Sequence, residues 1–187
     1  NPGGLLDQAV SVSDAFLDRG EIVSTRGRDP KDVTRFDSRA GDIVDGKGSA
    51  NACVDLLAEA GVHTVRGNHD RWFRGGVMRE LPHALPIGGL HYRPRKWLEA
   101  LPPSRRFETP LGRLLLCHGL GDDDMATLKP DDEGYALENN DRLHTLLRDP
   151  DVDIVVAGHT HCRMVRHFDG LTVINAGTLL RHREPGF

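Results

Sequence analysis

The sequence has few cysteines, and their positions exclude a disulfide framework. They are Cys53, Cys117 and Cys162, an odd number, widely spaced and without a Cys-x-x-Cys pair. Because small disulfide-based proteins carry even sets of cysteines, this pattern indicates free thiols. Free thiols are typical of a reducing compartment, so the sequence predicts a cytoplasmic protein.

Long apolar runs and an excess of positive charge are also missing. No stretch approaches the length of a membrane span, and the first residues lack the basic-then-apolar pattern of a secretory signal. The formal net charge is −4 at pH 7, and only 5% of the residues are aromatic. A basic groove with interleaved aromatic residues is therefore not predicted. We expect no membrane partner, and the sequence gives no positive evidence for a nucleic-acid partner.

What the sequence does contain is typical of a single α/β domain over residues 1–187. Hydrophobic residues make up 38% and charged residues 28%, as in ordinary globular proteins. Ser49 is a good N-cap, and the apolar spacing over 50–60 predicts a helix that ends at Gly61. A β-branched run over 62–65 follows as a strand, and this alternation favours a mainly parallel sheet. The buried stripe of the helix is expected to contain Cys53, Leu56, Leu57 and Ala60.

Similar patterns predict the elements of the rest of the chain, except in residues 1–40. That segment is rich in Arg, Asp, Gly and Ser, has no helical period, and resembles a solvated or disordered segment. Farther along, Pro110-Leu111-Gly112 and Asp169-Gly170 predict two β-hairpins. The predicted elements are helices over 71–81, 94–101 and 136–147, a strand over 153–157, and hairpin strands over 105–109, 113–117, 163–168 and 171–175.

Polar residues with metal-binding atoms stand at glycine turns or directly after short apolar runs. Gly67-Asn68-His69-Asp70 follows one run, and Gly158-His159-Thr160-His161 follows another. Side chains at strand ends are held by a rigid sheet and often do chemistry. Each motif alone is an ordinary turn or a surface histidine, but together they predict a metal site. The candidate ligands are Asp42, Asn68, His69, His118, His159 and His161.

The types of these ligands predict the kind of metal. Carboxylate, amide and imidazole groups suit borderline divalent ions rather than an all-thiolate structural site. The candidates outnumber the ligands of one catalytic ion with open positions, whereas two ions about 3.5–4 Å apart would use them all. We therefore predict two divalent metal ions, drawn from Mn, Fe, Ni, Co and Zn.

The order and spacing of these motifs resemble those of the calcineurin-like metallophosphoesterase superfamily. The resemblance rests on Gly41-Asp42, Gly67-Asn68-His69-Asp70, His118-Gly119 and Gly158-His159-Thr160-His161, and it covers residues 40–187. The chain looks most like the small bacterial phosphodiesterase-like members. The resemblance implies a four-layer α/β/β/α sandwich, with two mixed sheets flanked by helices and a dinuclear site at the sheet edges.

The resemblance also implies a role for each residue of the site. Asp42 would bridge the two ions, and His69, oriented by Asp70, would donate a proton to the leaving group. A metal-bound hydroxide would attack phosphorus in line. The size of the chain and the resemblance favour a phosphodiesterase acting on a small phosphorylated substrate, with manganese among the candidate metals. The remaining ligands are Asn68, His118 and His159 for the second metal, and His161 with Asp14 for the first.

The first metal motif of the superfamily, Asp-x-His, is incomplete here. Its best match places Asp14 correctly, but Phe16 occupies the histidine position and has no lone pair for a metal. Three interpretations stay open. The first metal is weakly held or lost; the protein is a degenerate, non-catalytic scaffold for protein interactions; or residues 1–40 reflect a frameshift or a wrong start.

Overall fold

The structure is a computed structural model that describes residues 23–26, 33–36, 38–39, 41–46 and 48–177. The first two strands, β1 (Val23–Arg26) and β2 (Val33–Phe36), pair in antiparallel fashion. Next, β3 (Ser38–Arg39) pairs in parallel with β4 (His63–Thr64), which is the strand predicted over 62–65. The predictions for Asp14 and Phe16 lie outside the described residues.

Three helices accompany the small parallel sheet. They are α1 (Ala50–Glu59), α2 (Asn68–Gly75) and α3 (Tyr92–Glu99). The first confirms the helix predicted over 50–60, and the Ser49 hydroxyl accepts a hydrogen bond from the amide of Ala52 at 3.3 Å. The second begins at Asn68 rather than at Arg71, so the Asn-His-Asp motif forms the first turn of a helix. Gly76, with φ of 66°, ends it in the left-handed conformation that favours glycine.

The predicted buried stripe of α1 is wrong. Ala50 and Val54, one turn apart, are the buried residues of this helix, whereas Leu56 is 67% exposed. Cys53 and Leu57 are only partly buried beside them. Apolar residues lie on several sides of α1, so their spacing alone could not select the side that packs against the neighbouring helices.

The second sheet contains five strands in the order β5-β6-β7-β9-β8. Its strands are β5 (Ser104–Thr109), β6 (Gly112–Cys117), β7 (Ile154–Ala157), β8 (Met164–His167) and β9 (Thr172–Asn175). The central strands β6, β7 and β9 run parallel, and both outer strands pair in antiparallel fashion. Both predicted hairpins are confirmed. Because β6, β7 and β9 are parallel, their carboxyl ends meet at one edge of the sheet.

The single helix predicted over 136–147 is instead two short helices. They are α4 (Tyr135–Glu138) and α5 (Asp141–Leu147). Between them, the Asn140 side chain accepts a hydrogen bond from the amide of Leu143 at 3.0 Å and caps α5. Asparagine favours caps over helix interiors, which explains the break.

Three groups of buried side chains hold the layers together. Val65, Leu116 and Val156 join the small sheet to the large one. On one outer side, Val54, Phe73 and Leu98 pack α1, α2 and α3 together; on the other, Leu143 and Leu146 pack α5 against Leu115 and Val155. Among the described residues, the layers follow the order α1 to α3, the β3–β4 sheet, the five-stranded sheet, and α5. This arrangement confirms the predicted α/β/β/α sandwich.

Leu116 offers a test of the contact between the two sheets. It is 1% exposed, and Leu116→Ala is expected to lower the free energy of unfolding by about 3 kcal/mol, because it leaves a cavity between rigid sheets. Leu111→Ala is the matched control, since Leu111 is 56% exposed at the β5–β6 turn. Urea unfolding of both variants measures the difference. Equal losses would contradict this account of the core.

Candidate metal centre

Two glycine turns bring Asp42 next to the start of α2. Gly41 has φ of 86°, and a Cβ added there would lie 2.6 Å from the Cα of Gly67 and 2.9 Å from Nδ1 of His118. A Cβ on Gly67 would in turn overlap the backbone and carboxylate of Asp42. Only glycine permits this approach. It allows the amide of His69 to donate a hydrogen bond to Oδ1 of Asp42 at 3.0 Å, at a helix N-terminus that favours negative charge.

Asp70 fixes these two turns to each other. Its carboxylate is fully buried and accepts hydrogen bonds from four backbone amides. The donors are Asp42 at 3.0 Å, Ile43 at 2.8 Å, Val44 at 3.3 Å and Gly67 at 2.9 Å. Burial raises the pKa of Asp70 and the charge of Asp42 adds to the rise, whereas the hydrogen bonds from the amides of Gly67, Ile43 and Val44 oppose it. Asp70 therefore holds the backbone of the two glycine turns together through these amides.

The structure corrects the prediction that Asp70 orients His69. The partner of His69 is Asp45, whose Oδ2 lies 2.7 Å from Nδ1 of His69. Neighbours on a helix do not face each other, so Asp70 points into the protein while His69 points outward. Trp72 packs against the His69 ring at 4.8 Å between centroids. Sequence reasoning missed Asp45, although its place three residues after Asp42 was a usable signal.

Four of the predicted ligands converge at the carboxyl ends of the strands. Oδ1 of Asn68 lies 2.8 Å from Nε2 of His118 and 3.1 Å from Nδ1 of His159. Oδ2 of Asp42 lies 3.2 Å from the same Nε2 of His118. One ligand atom from each of Asp42, His118 and His159 lies within 4.8 Å of the others. We call Asp42, Asn68, His118 and His159 the ligand cluster.

Electrostatics prepares the ligand cluster for a cation. Burial tends to raise the pKa of Asp42, but the hydrogen bonds and charges of His118 and His69 together outweigh it, and the pKa is lowered. Burial and the neighbouring His118 lower the pKa of His159. The carboxylate is therefore anionic and the His159 imidazole neutral near pH 7, which are the forms that bind metals. One carboxylate, one amide oxygen and two imidazoles converging in this way fit a borderline divalent ion.

His159 and His161 are both held in an unusual backbone conformation. Their φ values are 62° and 58°, in a region that residues other than glycine rarely adopt. Asn175, at the end of β9, donates hydrogen bonds to the carbonyl of Gly158 and to the Thr160 hydroxyl. Asn175 is only 2% exposed, so these two hydrogen bonds hold the turn from the protein interior. Sequence reasoning also missed Asn175, because an Asn that ends a hairpin strand carries no distinctive pattern.

The structure does not bring His161 into the ligand cluster. Its side chain is exposed, and the described residues show only Asp42, His118 and His159 as a converging set of acidic, thiol or imidazole groups. Asp14, the other predicted ligand of the first metal, lies outside the described residues. The first metal therefore stays a prediction.

The acidic run after His118 is anchored rather than freely solvated. Asp124 accepts two hydrogen bonds from Arg71 of α2, at 2.7 and 2.8 Å. Asp122 accepts one from Ser104 at 2.8 Å, and Asp123 pairs with Arg142 at 3.4 Å. The Arg71 contact ties the loop that follows His118 to α2, and the other two contacts tie it to β5 and α5.

Comparison with known proteins assigns this arrangement to a family. The family model described as calcineurin-like phosphoesterase matches residues 40–163, about two thirds of the chain. The chain belongs to the calcineurin-like phosphoesterase family. The matched region contains all four residues of the ligand cluster, so the cluster is the candidate divalent-metal site of this family member.

Two solved structures share the fold of this calcineurin-like phosphoesterase. The metallophosphoesterase from Sphaerobacter thermophilus is 21% identical, with a TM-score of 0.55, over 78% of this chain and 66% of that chain. Hypothetical protein PH1004 from Pyrococcus horikoshii OT3 is 13% identical, with a TM-score of 0.55, over 76% of this chain and 63% of that one. The chain thus spans less than two thirds of the length of either structure.

The N-terminal part of the chain is similar to a different family. Residues 1–67 match the model of peptidase family S41. A carboxy-terminal-processing protease from Bartonella bacilliformis is 70% identical over 47 residues, which are 25% of this chain and 11% of that protease. Asp14 and Phe16 therefore precede the phosphoesterase match and lie within the peptidase match. The single domain over 1–187 stays a prediction.

Across the described residues, no helix combines the length and the apolar composition that a membrane span needs.

Proposed function

We propose that this protein is a metal-dependent phosphoesterase that hydrolyses small phosphodiesters. The observation that carries the proposal is the convergence of Asp42, Asn68, His118 and His159 beside His69. A divalent ion bound there would activate water and neutralise phosphate charge. Manganese is the first ion to test. A second ion would need His161 and Asp14, as the family resemblance implies.

His69 is the proton donor in this proposal. Asp45 holds Nδ1 of the ring, which leaves Nε2 for the leaving-group oxygen. The water oxygen bonds to phosphorus, the phosphorus–oxygen bond to the leaving alcohol breaks, and His69 gives its proton to the departing oxygen. The attacking water releases a proton to solvent, and His69 regains one from solvent. The His69 side chain is 30% exposed, so both the substrate and solvent can reach it.

A chromogenic phosphodiester with added manganese tests the activity. On methyl phenyl phosphate, whose leaving group needs a proton, His69→Ala is expected to lower kcat by about 100-fold, because it removes the proton donor while leaving the ligand cluster intact. His167→Ala is the matched control, since His167 lies exposed on β8 and contacts Thr172 at 3.1 Å. Equal rates for both variants and the unmodified protein would remove His69 from the mechanism.

A non-catalytic scaffold is the second candidate function. The similarity of residues 1–67 to a peptidase family favours the scaffold. A segment that follows the pattern of a peptidase need not contain the first metal motif of a phosphoesterase, and without that motif the site would be incomplete. Metal analysis of the purified protein separates the candidates. The enzyme is expected to hold one ion per chain at the ligand cluster, or two if Asp14 and His161 contribute. Absence of any bound divalent ion after manganese loading would favour the scaffold.

A further inference from the structure

We propose that Arg79 is a positioning residue for the proton donor, acting on His69 through Asp45. This inference rests on the proposed function and adds to it a residue that lies outside the phosphoesterase motifs. The hydrogen bonds of Arg79 go to the Asp45 carboxylate and to the carbonyls of Val77 and Leu85. Its contacts with Asp45 decide where the carboxylate that holds His69 can point.

The guanidinium of Arg79 grips Asp45 with two parallel hydrogen bonds. One terminal nitrogen lies 2.9 Å from Oδ1 of Asp45, and the other lies 3.0 Å from Oδ2. Oδ2 is also the atom that contacts Nδ1 of His69 at 2.7 Å. A two-point grip fixes the plane of the carboxylate, whereas a single hydrogen bond would let it rotate. Arg79 therefore fixes the direction from which Oδ2 meets the His69 ring.

Arg79 is itself held in one orientation. Its Nε donates to the carbonyl of Val77 at 2.9 Å, and a terminal nitrogen donates to the carbonyl of Leu85 at 3.0 Å. The guanidinium also lies 5.8 Å from the centre of the Phe73 ring. The Arg79 and Asp45 side chains are only 14% and 8% exposed, so water does not readily replace these contacts.

The loop that carries Arg79 closes around Asp45 from a second side. The amide of Leu85 donates to Oδ1 of Asp45 at 2.8 Å, and the amide of Gly46 donates to the carbonyl of His83 at 3.1 Å. Burial tends to raise the pKa of Asp45, but the hydrogen bonds from Arg79, Leu85 and His69 lower it overall. Asp45 is therefore an anion. Arg79 bonds to both of its oxygens, the Leu85 amide adds a hydrogen bond to Oδ1, and the His69 ring contacts Oδ2.

Two methyl phosphodiesters that differ in the leaving group test this role. Methyl p-nitrophenyl phosphate releases a stable anion and needs little proton donation, whereas methyl phenyl phosphate needs more. Arg79→Gln is expected to slow methyl phenyl phosphate by about tenfold and methyl p-nitrophenyl phosphate by less than about twofold. Arg79→Lys keeps the charge but loses the fork, so it is expected to resemble Arg79→Gln. Arg106→Gln, which removes an exposed contact with Asp149, is the control and should change neither rate.

The readout is the ratio of kcat/KM for the two substrates in each preparation. Because both rates come from the same active molecules, a partly unfolded variant leaves the ratio unchanged. In a His69→Ala background, Arg79→Gln is expected to alter the ratio no further. An unchanged ratio in Arg79→Gln, or an equal additional effect in the His69→Ala background, would overturn the inference. If the unmodified protein with manganese hydrolyses neither ester, the proposed function itself fails.

Discussion

Asp70→Ala is expected to lower the free energy of unfolding by about 4 kcal/mol, because four backbone amides lose their acceptor in a buried place. The amides belong to Asp42, Ile43, Val44 and Gly67, so the loss would separate the two glycine turns. Urea unfolding monitored by circular dichroism measures the change. Manganese binding should weaken as well, since Asp42 would no longer be held beside Asn68.

Asp70→Asn refines this test. Each Asp70 oxygen accepts two amides, and asparagine keeps one acceptor oxygen while turning an NH₂ group toward the other pair. Its loss should be smaller than that of Asp70→Ala. Asp132→Ala is the matched control, because Asp132 accepts one exposed amide hydrogen bond, from Lys129 at 2.8 Å. If Asp70→Ala costs no more than Asp132→Ala, the four hydrogen bonds do not have the role assigned here.

The ligand cluster shows how much a sequence can predict about a site. Asn68, His118 and His159 each follow a short apolar run. The strands before His118 and His159 are neighbours in the five-stranded sheet, and the strand before Asn68 lies in the small sheet that packs against it. The sequence could not show that these side chains touch, because His159 lies 91 residues from Asn68. It also could not place the start of α2, since Asn and Asp favour both turns and first helical turns.

The Asp45–His69 contact explains why one role was predicted wrongly. Asp70 stands next to His69 in the sequence and was assigned as its partner for the proton transfer. Along a helix, adjacent side chains diverge, and the true partner comes from a loop 24 residues earlier. Sequence neighbours are thus poor guides to contacts on helices, whereas the Asp-x-x-Asp spacing of Asp42 and Asp45 marks one turn that supplies both carboxylates.

The first 40 residues show why part of the sequence did not predict a phosphoesterase element. They have neither a helical period nor a convincing core strand, although a phosphoesterase would need both there. Residues 1–67 match a peptidase family instead, so apolar positions in this segment need not follow the pattern of the phosphoesterase sandwich. Pattern reasoning works only where the pattern belongs to the fold being predicted.

His118→Ala is expected to abolish both metal binding and turnover. His118 is 2% exposed, and its Nε2 faces Asn68 at 2.8 Å and Asp42 at 3.2 Å. Removing the imidazole deletes one ligand and the contact that lowers the pKa of Asp42. We expect manganese affinity to fall by more than about 100-fold, since even residues that only support metal ligands cost 10–100-fold. Calorimetric titration with manganese measures the affinity.

The comparison with His69→Ala makes this prediction decisive. His69→Ala should lose turnover but keep the metal, whereas His118→Ala should lose both, because only His118 belongs to the ligand cluster. His144→Ala is the matched control, since His144 lies on α5 and contacts the carbonyl of Glu138 at 3.1 Å. The prediction fails if His118→Ala binds manganese as tightly as His144→Ala does. In that case, the ligand cluster is not the site that binds the cation.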